Sequence, residues 1–215
     1  MPTRGSSADE PVRVDAAHLV AVAADLLAEH GPAALTARRI ADAAGTSTMA
    51  IYSRFGGTGA LHAALRADGF AHLASLTDAA TTEVDDPVTA LAAASLAYLD
   101  FGVAQPHRYR FMFVEPAPGD EPGRTAFAAL RSSIEKCLAA GRFRPHPEHA
   151  DSDAADPPTI WAAQLWAITH GVTSLVLTGT VPAAAARHVL CDGLTRLYIG
   201  YGDDAERAAR SVADA

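Results

Sequence analysis

The residues best suited to chemistry crowd into one short stretch of this 215-residue chain, between Thr36 and Arg66. Four arginines there, Arg38, Arg39, Arg54 and Arg66, face a single acid, Asp42, a local net charge of +3. Hydroxyls at Thr36, Ser47, Thr48, Tyr52, Ser53 and Thr58 are interleaved with them. Guanidinium groups pair with phosphates and with guanine edges, and hydroxyls near helix N-termini hold phosphate oxygens. Outside the stretch the balance reverses. The whole chain carries a formal net charge of −8, which read globally argues against a polyanion as partner, but the acids lie mostly elsewhere. Acidity in the remainder keeps that part away from a polyanion and favours solubility.

Short helices must position these groups. Asp15 is placed to cap a helix with Leu19, Val20, Ala23, Leu26 and Leu27 at helical spacing, which Gly31-Pro32 ends. Thr36 caps a second helix running to about Ala44, Gly45 breaks it, Ser47 caps a third to about Phe55, and Gly56-Gly57 breaks that. A steep, close crossing of two short helices asks for a small residue at the crossing, Ala41. It also asks for a residue comfortable at positive φ four places later, Gly45, and an apolar anchor six places beyond, Ile51. Ile51 and Phe55 then face a core with Ile40 and Leu35. Met49 and Ser53 point outward, flanked by Ala50 and Tyr52. This is a helix-turn-helix with an exposed recognition face; a merely packed helical surface more usually carries Lys and Glu.

The run Gly31-Pro32-Ala33-Ala34-Leu35-Thr36-Ala37-Arg38-Arg39-Ile40-Ala41, continued through Ile51-Tyr52-Ser53-Arg54-Phe55, resembles the DNA-binding signature of the TetR family over residues 13 to 62. The resemblance implies DNA contacts at Thr36, Arg38, Ser47, Thr48, Met49, Ala50, Tyr52, Ser53, Arg54 and Thr58. Arg38, Met49 and Ser53 are then candidates for base edges, and the other hydroxyls for phosphates. It further implies a homodimer on a palindromic or pseudo-palindromic double-stranded operator, a small-molecule effector, and repression as the usual mode. Two positions depart from the family pattern. Thr58 stands where lysine commonly grips phosphate, and Arg54 where histidine or tyrosine is frequent.

The remainder reads as helical throughout, so the fold class is all-α: a three-helix helix-turn-helix domain and a C-terminal helical bundle, about nine helices in all. The expected division is a flexible arm over 1–12, the DNA-binding domain over 13–60, a ligand-binding and dimerisation domain over 61–203, and a flexible tail over 204–215. A long helix from 58 to 80 links the halves. Helices follow near 88–104, 123–140, 159–179 and 182–200, with an aromatic turn opened by Pro106 and loops marked by Pro116, Pro118 and Pro122 and by 141–158. Tyr98, Phe101, Tyr109, Phe111, Met112, Phe113, Phe127, Trp161 and Gln164 supply apolar walls and scattered polar groups for a lipophilic or aromatic effector. Trp166-Ala167-Ile168-Thr169-His170-Gly171 is similar to the tryptophan-histidine-glycine signature of one TetR C-terminal subfamily, so His170 joins that set as a ligand contact or a packing residue. Leu175, Leu190, Leu194, Leu197 and Tyr198 lie on apolar stripes that suit a four-helix dimer seam, with Gly171, Gly179, Gly193 and Gly200 permitting close approach.

No catalytic, metal or cofactor site is expected. His146-Pro147-Glu148-His149-Ala150-Asp151 gathers ligand types in a Pro-rich loop without the i, i+4 helical spacing that aligns two imidazoles. Neither a phosphate loop nor a nucleophile elbow is present. Cys137 and Cys191 are too few for a disulfide framework. The opening MPTRGSSADEP lacks the apolar run of a signal peptide, so the cytoplasm is expected and no membrane. An interaction module whose helix-turn-helix no longer binds DNA stays open as the rival reading, on the overall acidity and the missing lysine.

Overall fold

The computed structural model describes residues 15–114, 121–145 and 156–215. The expected arm over 1–12, much of the two Pro-marked loops, and the His146–Asp151 cluster lie outside the described residues. The chain separates into two compact units, residues 1–65 and 66–215, and the division falls within one helix.

In the first unit, α1 (Ala16–His30) begins where Asp15 Oδ1 accepts the His18 N–H at 2.7 Å. Leu19, Ala23 and Leu27 form its buried stripe at steps of four. Gly31 ends it at φ 73°, and a 3-10 turn (Pro32–Ala34) leads on. In α2 (Ala37–Ala43), Thr36 Oγ1 caps the helix by accepting the Arg39 N–H at 3.3 Å, while Ile40 and Ala41 are buried. Gly45 follows at φ 64°, and beyond it the Thr46 N–H reaches back to the Ala41 carbonyl at 2.9 Å. This left-handed residue makes the sharp turn that a side chain would strain. α3 (Thr48–Phe55) starts at Ser47, whose hydroxyl makes no capping bond, and stops at Gly56 in the left-handed region. The first turns of α4 (Thr58–Thr81) close the unit: Leu61 and Leu65 are buried, and His62 Nε2 lies 3.3 Å from the Leu35 carbonyl.

The second unit takes the rest of α4 and adds α5 (Pro87–Ala104), α6 (Pro106–Val114), α7 (Glu121–Ala139), α8 (Pro157–Leu177), α9 (Ala183–Gly200) and α10 (Ala205–Ala213). Asp86, Asp156 and Asp204 cap α5, α8 and α10, each accepting the backbone N–H three residues on. α8 packs on α5, α7 and α9, and α10 closes over α5 and α9. Val88, Leu91, Leu96, Leu99, Ile134, Phe143, Leu165, Leu190, Leu194 and Tyr198 form the main core. α5 and α8 are long and apolar enough to cross a membrane, with mean hydropathies of 1.4 and 1.3, yet both are packed into this bundle.

The end of the chain departs from the expected flexible tail, because 205–213 is helical. A helix this short is marginal alone. Here Ala208, Ser211 and Val212 are buried, and a buried ionic network pins it. Arg142 gives Asp203 a two-pronged pair at 2.9 and 2.6 Å, donates to Ser211 Oγ at 3.0 Å, and also pairs with Asp86. Ser211 in turn donates to Asp86 at 2.8 Å. Burial alone would raise the Asp86 pKa, but the Thr89 backbone N–H and the Arg142 guanidinium outweigh it and hold the carboxyl at about 2.

Ten helices therefore stand among the described residues, one more than expected, and all the described regular structure is helical.

Candidate DNA interface and ligand cavity

The first unit presents α3 as a two-sided element. Ile51 is fully buried, with Leu35, Ile40 and Ala41 in the same unit's core, whereas Met49 is 69% exposed and Tyr52 49%. Both side chains stand on one helix, in solvent and open to a partner. Thr36, Ser47, Thr48, Ser53 and Arg54 are exposed around them, and Ala50 and Thr58 are half-buried. The unused Ser47 hydroxyl is free to meet an outside oxygen, whereas the Thr36 hydroxyl is engaged in its cap. Ser53 Oγ donates to the Ala50 carbonyl at 3.0 Å, so in this rotamer it offers an acceptor to a base edge. Arg38 reaches Asp42 only at 3.9 Å, and both side chains are largely exposed. An exposed pair of this kind is worth little, about 0–1 kcal/mol, so the guanidinium is readily redirected.

In the second unit a cavity of about 180 Å³ opens between α4, α5, α7 and α8. Phe70, Leu73, Leu91, Leu130, Leu165 and Trp166 supply most of its apolar wall, and Thr77, Asp78, Thr81, Ser95, Tyr98, Ser133 and Thr169 its polar groups. A second hollow of about 560 Å³ shares Phe70 and Trp166 and adds Arg66, Phe113, Arg124 and Phe127. Beneath Tyr98 lies a polar triangle. The His170 Nδ1 is 2.6 Å from the Tyr109 hydroxyl and 3.1 Å from that of Tyr98, and the two hydroxyls are 3.2 Å apart. Desolvation lowers the His170 pKa and raises those of both tyrosines, so the triangle is neutral. Tyr109 and His170 stack at 5.6 Å between centroids.

The ligand residues expected from sequence are only partly brought together. Tyr98 lines the first cavity, Phe113 and Phe127 the second, and His170 holds Tyr98 from behind. Phe101, Tyr109 and Met112 are buried core beside Phe70 and Leu73. Phe111 is half-buried and lines neither cavity. Trp161 stacks on Tyr201 at 4.7 Å in the main core, and Gln164 is exposed. Sequence reading missed the α4 face (Phe70, Leu73, Ala74, Thr77, Asp78, Thr81) and the small polar residues of α5, α7 and α8. The steps of three and four along α4 carry that face, but it alternates apolar and polar groups and so reads as an ordinary surface.

The expected dimer residues need correction. Leu190, Leu194 and Tyr198 are 0% exposed inside this chain's own core, because their face of α9 meets α5, α8 and α10. Leu197 packs partly against the same core. Of the five, Leu175 alone is exposed, with Val189 and Ile199 exposed on α9. Gly193 abuts Ile168 of α8, whereas a side chain added at Gly171 or Gly200 would meet nothing within 4 Å.

Comparison with known proteins agrees with these two units. The family model for bacterial regulatory proteins of the TetR family matches residues 19–65, and the one for the tetracyclin repressor-like C-terminal domain matches residues 91–198, half of the chain. The chain belongs to the TetR family. Its fold is that of a DNA-binding transcriptional regulator rather than of an enzyme.

Among solved structures, a protein of unknown function from Rhodococcus sp. RHA1 is 24% identical with a TM-score of 0.75, the alignment covering 90% of this chain and 99% of that one. RolR in complex with resorcinol is 17% identical, with a TM-score of 0.66 and 92% of each chain covered. SmeT, the repressor of the Stenotrophomonas maltophilia multidrug efflux pump SmeDEF, is 17% identical, with a TM-score of 0.59 over 87% of this chain and 90% of that one. No curated protein matches the chain.

Proposed function

We propose that the chain is a dimeric transcriptional repressor working in the cytoplasm. Two copies hold a palindromic or pseudo-palindromic operator, and a small lipophilic or aromatic effector releases them. The observation that carries the DNA part is α3: Met49 and Tyr52 stand in solvent while Ile51 anchors the opposite face. Arg38, Arg39 and Arg54 of the same unit supply the charge that the chain as a whole lacks, whereas Arg66, counted with them from sequence, is buried in the second unit. Thr36, Arg38, Ser47, Thr48, Met49, Ala50, Tyr52, Ser53, Arg54 and Thr58 form the DNA surface. Half-sites one helical turn apart call for a twofold protein, and the open α8–α9 face bearing Leu175, Val189 and Ile199 supports one.

The cavity between α4, α5, α7 and α8 is the effector site in this reading. α4 carries both Thr58 and the wall residues Phe70 to Thr81, so it is the element through which occupancy biases the spacing of the recognition helices. The RolR–resorcinol complex is a precedent for a small aromatic bound by a protein of similar fold. A reporter fused to the DNA upstream of this chain's own gene tests the direction of control. Expression should rise when the chain is removed; a fall would make it an activator. A compound that binds the cavity yet leaves operator affinity unchanged would sink the release mechanism.

A further inference from the structure

The cavity walls hold a bias in hydrogen bonding that an apolar lining alone does not predict. Five of its polar residues are serines or threonines, and the hydroxyls of all five donate to carbonyls of their own helices. Thr77 donates to Ala74 at 2.8 Å, Thr81 to Asp78 at 3.1 Å, Ser95 to Leu91 at 2.9 Å, Ser133 to Ala129 at 3.2 Å and Thr169 to Leu165 at 2.9 Å. A hydroxyl has one proton to give, so each now offers the cavity only lone pairs. The sixth oxygen group is the Asp78 carboxylate, an acceptor with full charge, exposed where it lines the cavity and in no ion pair among the described residues. The remaining donors on the wall are the Tyr98 hydroxyl, engaged in the triangle with Tyr109 and His170, and the Trp166 indole N–H. Lys, Arg and His are absent from the cavity lining among the described residues.

From these partners we infer that the effector is a lipophilic cation, an amine or ammonium whose apolar body lies against Phe70, Leu73, Leu130, Leu165 and Trp166 and whose N–H donors or charge face Asp78. This rests on the cavity being the effector site. A carboxylate or phosphate head would find acceptors where it needs donors, and one negative charge beside its own. The adjoining hollow has the opposite character, with Arg66 and Arg124. There Arg66 donates to the Met112 carbonyl at 2.5 Å and lies over the Phe70 ring, while Arg124 pairs with Glu121 at 2.5 Å. Its cations are thus engaged within the protein, which leaves Asp78 as the charge that selects.

Three probes of matched shape test the inference: 4-phenylbutylamine, 4-phenylbutanol and 4-phenylbutyric acid, titrated into the full-length protein with Trp fluorescence as readout. The amine should bind at least about tenfold more tightly than the acid, with the alcohol between them. The gap should narrow in 1 M salt, because Asp78 is exposed and its charge is screened. Asp78→Asn should bring the ratio towards one, and Asp78→Glu should keep it. An acid that binds as well as the amine, a preference that survives Asp78→Asn, or no binding by any of the three would overturn the inference. Operator DNA measured alongside keeps the two readings apart. If the amine binds with the expected preference but leaves DNA binding unaltered, the cavity chemistry stands and the effector role fails.

Discussion

At the scale of single residues, the proposed DNA surface draws on side chains that the fold leaves unemployed. Arg38 is the sharpest case, since its partner Asp42 lies at 3.9 Å on an exposed face. Arg38→Ala should weaken operator binding by about 1–3 kcal/mol and relax sequence preference at one position, if it reads a base. Equal weakening on all sequences would assign it to a phosphate instead, and competition anisotropy with single-base operator variants distinguishes the two. Tyr198 is a different kind of residue. Its hydroxyl is fully buried, makes no hydrogen bond of full geometry, and has the Ser95 hydroxyl beside it. Removing a buried polar group so poorly satisfied is neutral or favourable, so Tyr198→Phe should leave stability unchanged or raise it by up to about 1 kcal/mol in urea unfolding. A clear loss of stability would mean that the hydroxyl is satisfied in solution.

At the scale of elements, sequence legibility follows the range of the forces involved. The first three helices were readable because their limits are set locally. Asp15 and Thr36 accept backbone N–H groups three residues on, and Gly45 and Gly56 adopt the positive φ that ends a helix. Leu190, Leu194 and Tyr198 and the chain end differ from the sequence expectation because an apolar stripe does not say which surface it meets. Leu190, Leu194 and Tyr198 have the spacing of a seam but are covered by this chain's own α5, α8 and α10. The cavity between α4, α5, α7 and α8 was legible only at Tyr98, and the adjoining hollow at Phe113 and Phe127, since the cavity arises from four helix faces distant in sequence.

α10 itself depends on long-range pairs that no window of sequence displays: Arg142 with Asp86, Asp203 and Ser211. Arg142→Ala strands the buried Asp203 and should cost about 3–5 kcal/mol, with helicity lost first at the chain end by hydrogen exchange. The network also sets an acid limit. Asp86 is held at about 2 against an ordinary 3.8. The folded state therefore binds this proton less readily than the unfolded one. The stabilisation is whole above about pH 4 and is lost as pH falls towards 2. Acid titration of unfolding should show this dependence in the wild type and a weaker one in Arg142→Ala, where the Thr89 and Ser211 hydrogen bonds to Asp86 remain.

At the scale of the whole molecule, the family assignment joins a basic helix-turn-helix to an acidic helical body and makes association of two copies the working state. The proposed seam is the α8–α9 face on which Leu175, Val189 and Ile199 are exposed. Leu175→Glu together with Ile199→Glu should convert a dimer to a monomer in light scattering and reduce operator affinity, while leaving circular dichroism unaltered. A double variant that remains dimeric would move the seam elsewhere.

The central claim is that this net-acidic chain binds operator DNA through a locally basic head, and fluorescence anisotropy on labelled DNA from upstream of its own gene tests it most directly. Binding should be specific at 50 mM salt and should weaken steadily as salt rises, because phosphate contacts release counterions. Affinity that is absent at 50 mM salt, or insensitive to salt, would contradict it.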